Sequence, residues 1–132
     1  MQLTKSIMAL AAFVLVAQAT PLAPETLDLR AVEGVKCSTD HEADSDSCRD
    51  LISRIGSTPF SITSHDTRST CTGGCCISWS KDADFSSSDL ANSASSCFNV
   101  CANTQVSCQT QNAVLGDVTL DVCVSNRATG CT

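Results

Sequence analysis

Ten cysteines are the residues of this chain whose number and spacing point most directly to chemistry: Cys37, Cys48, Cys71, Cys75, Cys76, Cys97, Cys101, Cys108, Cys123 and Cys131. An even set of this kind serves disulfide pairing, zinc ligation or thiol redox catalysis. Structural zinc favours C-x2-C knuckles or combined Cys and His ligands. The nearest approaches here are Cys71-x3-Cys75 and Cys97-x3-Cys101, and His41 and His65 stand apart from the cysteine clusters. A reactive thiol needs exposure and a lowered pKa, usually within C-x2-C, a spacing this sequence lacks. The expectation is therefore five disulfides with no metal and no cofactor. Neighbouring side chains on a strand point to opposite faces, so Cys75 and Cys76 suit two different partners better than a vicinal bridge. Ten cysteines permit very many pairings, and the connectivity stays open apart from one expectation, that Cys37 joins a late cysteine and closes the N-terminus onto the sheet.

Other chemistry has thinner support. His65-Asp66 with any of the many serines nominally supplies a Ser, His and Asp set, yet no nucleophile-elbow glycine pattern surrounds a serine. The alternating carboxylates Asp40, Glu42, Asp44 and Asp46 resemble a calcium loop but lack its central glycine and closing Glu, and read instead as a helix-capping segment. Asp82, Asp84 and Asp89 fall in a polar loop and helix start with no apolar pocket evident around them, so no acid/base pair for glycoside hydrolysis is identified. Trp79, the single tryptophan, shares a strand face with Cys75 and Ile77 and is expected in the core. No catalytic residue is expected.

Positioning the cysteines requires elements that the periodicity predicts. Cys48, Leu51, Ile52 and Ile55 recur at helical spacing, with Asp44 or Ser45 as cap and Gly56 as stop. Thr58-Pro59 breaks the chain, residues 60–63 alternate as a strand, and residues 64–70 form a polar loop. Residues 75–80 alternate so that Cys75, Ile77 and Trp79 share one face and Cys76, Ser78 and Ser80 the other. A second helix carries Leu90, Ala94, Cys97 and Cys101 after a cap among Asp84 and residues 86–88, and so docks through its cysteine stripe. Residues 105–113 and 118–125 read as strands joined at Leu115-Gly116-Asp117. The predicted order is αββαββ, a small disulfide-rich α+β two-layer sandwich with two helices packed on an antiparallel sheet.

The N-terminus carries Lys5, an uncharged apolar run over residues 7–17 and the small-x-small triplet Ala17-Gln18-Ala19, the three parts of a signal peptide over residues 1–19. The run is about half the roughly 20 residues that a membrane span needs. Export places the chain in an oxidising, extracellular setting where disulfides persist. Residues 20–36, with two prolines and no cysteine, are expected to be a flexible leader or propeptide, and residues 37–132 the cysteine-rich domain. Loss of residues 1–19 takes the net charge from −6 to −7. Nucleic acid demands clustered Lys and Arg and is excluded as a partner.

Gly74-Cys75-Cys76-Ile77-Ser78-Trp79-Ser80 and Cys123-Val124-Ser125-Asn126-Arg127-Ala128-Thr129-Gly130-Cys131 resemble segments of a family of small secreted fungal cysteine-rich proteins, the WD-like domain family, over most of residues 37–132. That resemblance implies a secreted fungal protein and no particular activity; the repeats of about 40 residues that mark a WD40 propeller are absent. More distantly, the layout is similar to that of killer toxins that block calcium channels, α/β sandwiches with about five disulfides, which implies a membrane-channel target engaged through basic residues. The expected function is non-enzymatic extracellular binding in an effector-like or host/microbe role, through loops 64–74 and 81–88. The alternatives are a killer-toxin-like action on a membrane channel or a small hydrolase. The expected partner is an extracellular protein, cell-wall or membrane-surface target, bound by a monomer.

Overall fold

Alternating apolar and small polar residues in a short run can form a strand buried on both faces, and Cys75-Cys76-Ile77-Ser78-Trp79 does so. In the computed structural model, which describes residues 34–63, 67–101 and 107–130, this strand is one of seven accompanied by two helices. The order is β1 (Val35–Ser38), α1 (Ser45–Ser57), β2 (Ser61–Thr63), β3 (Ser69–Thr72), β4 (Cys75–Trp79), β5 (Asp84–Ser86), α2 (Ser87–Cys101), β6 (Ser107–Leu115) and β7 (Val118–Ser125). Five strands form an antiparallel sheet in the order β1-β6-β7-β4-β3, while β2 and β5 pair separately. Both helices pack on one face of the larger sheet, giving a disulfide-rich α+β fold.

The core lies between helices and sheet. Cys48, Leu51 and Ile55 of α1 and Leu90, Ala94, Cys97 and Phe98 of α2 meet Ile77, Trp79, Leu120, Val122 and Val124 in one buried cluster. Trp79 is 6% exposed and stands edge-on to Phe85 at 5.4 Å. Asp44 caps α1, its Oδ1 accepting the Ser47 N–H at 2.8 Å. This bond satisfies one of the donors left over at a helix N-terminus. Gly56 lies inside the last turn of α1 rather than ending it; a Cβ there would stand 3.2 Å from the Ala91 Cβ, so the missing side chain lets the two helices approach closely. Pro59 limits helical geometry at Thr58, and the helix stops there. At the start of α2, Ser86 Oγ accepts the Ser88 N–H, as a cap among residues 86–88 requires.

Three strands are added to the predicted order. Val35–Ser38 belongs to the sheet, so the expected boundary between residues 36 and 37 cuts through β1. Ser69–Thr72, expected as loop, forms an edge strand against β4. Asp84–Ser86 pairs with β2, and its Phe85 is buried. These are runs of three or four mostly polar residues, too short for period-two alternation to register; pairing with longer neighbours fixes them. The hairpin of β6 and β7 turns at Gly116, which has a φ of +60°, as its glycine requires. Residues 1–19, most of the 20–36 leader, His65, Asp66 and Cys131 lie outside the described residues.

Candidate functional site

Each bridge ties together elements that the cysteine spacing places on facing surfaces. Cys48–Cys75 joins α1 to β4, with Cα atoms 5.1 Å apart. Cys71–Cys76 links β3 to β4 on the opposite face, where the two residues are register partners. Cys75 and Cys76 thus serve different partners, as alternation on a strand dictates. Cys97–Cys108 fastens α2 to β6, and Cys37–Cys101 fastens the end of α2 to β1. The Cys37 bridge runs to Cys101, a cysteine of the chain's second half, but that partner ends a helix: the disulfide anchors β1 to α2, and β1 reaches the sheet through its ladder with β6. Cys123 is disulfide-bonded as well, and Cys131 is the one cysteine outside the described residues.

With helices covering one face, alternation sends a different set of side chains to the other. In the strand registers, Lys36 opposes Gln109, Gln109 opposes Cys123, Cys123 opposes Ser78, and Ser78 opposes Ser69. These residues form a row straight across the sheet, one per strand. The adjacent row begins at Ser80 and Asp121, where the Asp121 N–H donates to Ser80 Oγ at 2.9 Å and the Ser80 N–H to the Asp121 carbonyl at 3.0 Å. Arg68, just before β3, closes one side, its Nη1 donating to the Ser80 carbonyl at 2.9 Å. Residues 128–130 close another. They are folded back because Ser125 Oγ donates to the carbonyls of Arg127 and Gly130. Between these walls is a groove of about 600 Å³, within the size range of small-molecule sites.

Asp121 organises the groove's far end. Strand β6 carries one extra residue between Thr110 and Ala113, with Asn112 in the left-handed region at φ 54°. The Asn112 N–H donates to Asp121 Oδ1 at 2.9 Å, and Gln109 Nε2 lies 3.4 Å from Oδ2. One carboxylate thereby braces a β-bulge and orients the amide that lines the groove, a placement typical of bulges, which re-aim side chains. Ser78 sits in the middle of the floor, 3% exposed, and its hydroxyl has no hydrogen-bond partner among the described residues. A buried polar group left unpaired costs about 1–3 kcal/mol. Arg68 also lies 3.8 Å from Asp82, but both side chains are more than half exposed and the pair adds little to stability.

The model of the Fungal WD-like family matches residues 1–131 of the chain. The protein belongs to the fungal WD-like family. No curated protein and no solved structure matches it. In this fungal WD-like chain the carboxylates singled out in the sequence are dispersed. Asp82 and Asp84 are exposed, Asp89 lies in the first turn of α2, Asp44 caps α1, and Asp46 pairs with Arg49 at 3.2 Å. No group of three metal-ligating side chains occurs among the described residues. Of the expected contact loops, 64–74 contributes Thr67, Arg68 and Ser69 to the groove, whereas 81–88 is no free loop: it holds β5 and the fully buried Ser87, which exchanges hydrogen bonds with Phe60. Reading loops alone missed Gln109 and Asp121. The signal available was the alternation of Ser78 and Ser80 in β4 and Asp121 in β7; the register that aligns them with Gln109 is not written locally.

Proposed function

We propose that this protein is secreted and acts outside the cell by binding, without catalysis, in an effector-like role at a fungal or host surface. The observation that carries this reading is the polar row across the sheet face, held in place by bridges on both sides of β4. Cross-linking restrains the elements that display the row, and a pre-organised surface loses less entropy on binding than a mobile one. The export pattern at residues 1–19 and a set of described cysteines that are all disulfide-bonded support the extracellular setting. The partner is an extracellular protein, cell-wall or membrane-surface component, met by a monomer.

The test is capture of surface components from fungal and host cells by the oxidised protein and by a reduced, alkylated control. Capture by the oxidised form alone is expected. Equal capture by both forms would overturn the reading, as would growth arrest or altered ion flux on applying the protein to cells, which would favour the channel-directed toxin.

A further inference from the structure

We propose that the groove on the open sheet face is a binding site for a neutral oligosaccharide. This deepens the extracellular binding reading and rests on it. The argument starts from hydrogen-bond inventory. Arg68 only donates, Asp121 only accepts, and Ser78, Ser80, Thr129 and Gln109 do both, all around one cavity of about 600 Å³. A ligand that meets this mixture without leaving orphans must carry groups that each donate and accept, and a sugar hydroxyl does so.

Other ligand classes fit less well. An extended peptide is recognised through a row of main-chain N–H and C=O groups at a sheet edge. This groove lies on a face, where the backbone is already paired between strands and side chains alone are offered. An anion meets the Asp121 carboxylate on the groove's lining. A lipid chain finds hydroxyls and an amide on the floor. Neighbouring strands are about 4.8 Å apart, so the row from Ser69 to Gln109 spans roughly 14 Å, an extent suited to several linked sugar rings rather than one. The independent pointer to a ligand is Ser78: its hydroxyl is almost wholly buried and has no partner among the described residues, and it belongs to a residue lining the groove.

The experiment uses the oxidised, ¹⁵N-labelled full chain titrated separately with β-1,3-gluco-, chito- and mannohexaose, and with an unglycosylated peptide digest. At least one sugar is expected to shift the amide signals of Ser78, Gln109 and Asp121 together. Ser78→Ala, which removes a buried hydroxyl with no hydrogen-bond partner among the described residues, is expected to raise the unfolding temperature of the free protein and to weaken that sugar about tenfold, the loss of a single hydrogen bond. Arg68→Gln, at the half-exposed rim, provides a second variant whose thermal unfolding is followed alongside, with a similar weakening expected. Groove shifts elicited by the peptide digest and by none of the sugars would overturn the assignment, as would sugar binding unaffected by both variants. If no sugar shifts these signals while the oxidised protein still captures surface components, the ligand assignment falls and the binding reading stands; if capture fails as well, both fall.

Discussion

Cys37 and Cys108 oppose each other across β1 and β6, and their disulfides run to Cys101 and Cys97, one turn apart on α2. Two ladder partners on one sheet face are thereby bolted to two residues on one helical face, since side chains at i and i+4 of a helix lie one above the other. The pair fixes α2 along the sheet in translation and rotation together, while Cys48–Cys75 does the same for α1 at a single point. On the opposite face, Cys71–Cys76 holds the edge strand that carries Ser69 into the polar row.

The bridges should differ in what they contribute. Closing a longer loop removes more freedom from the unfolded chain, so the bridge with a sequence separation of 64 is worth about 4 kcal/mol and the one with a separation of 5 about 2 kcal/mol. Urea denaturation followed by Trp79 fluorescence should show Cys37→Ser/Cys101→Ser losing about twice the stability lost by Cys71→Ser/Cys76→Ser.

Hydrogen bonds from Ser47 hold the Asp44 carboxyl below its ordinary pKa. A carboxylate whose folded pKa is depressed stabilises the fold above its unfolded value, and that contribution disappears as pH falls through the folded value. Wild type should therefore lose more stability than Asp44→Asn on acidification below about pH 4, the usual range for Asp. Parallel thermal unfolding curves across that range would contradict the capping role.

Gly73 makes the turn between β3 and β4 with a φ of +51°, and a Cβ there would lie 2.6 Å from Ser47 Oγ. Gly73→Val combines the left-handed penalty of about 1–2 kcal/mol with that clash, so its unfolding midpoint should fall, and Gly73→Ala should fall by less.

Cys123 is disulfide-bonded, and the other eight described cysteines are paired with one another. Mass mapping of an unreduced digest should therefore find Cys123 joined to Cys131, with no free thiol in the intact protein. A free Cys131 would contradict this.

The parts of the fold that the sequence displays are those governed by local period. The stripe of Cys48, Leu51 and Ile55, the cap at Asp44, the alternation through Trp79 and the cysteine spacing on α2 each follow from side-chain direction within one element. What escapes is set by contacts between elements. Strands β1, β3 and β5 are three or four residues long and are defined by their partners. Gly56 resembles a helix stop until Ala91 is seen against it. The groove is hidden for the same reason: Gln109 and Asp121 come to share one sheet face with Ser78 and Ser80 only through register and the bulge at Asn112.

The central claim, that the open sheet face is the binding surface, is tested most directly by filling it. Thr129→Trp places a large ring at the exposed rim of the groove, while Arg54→Glu alters the exposed side of α1, on the far face of the molecule. In surface-capture assays with both oxidised variants at matched stability, Thr129→Trp should lose binding and Arg54→Glu should retain it. Wild-type capture by Thr129→Trp would contradict the account.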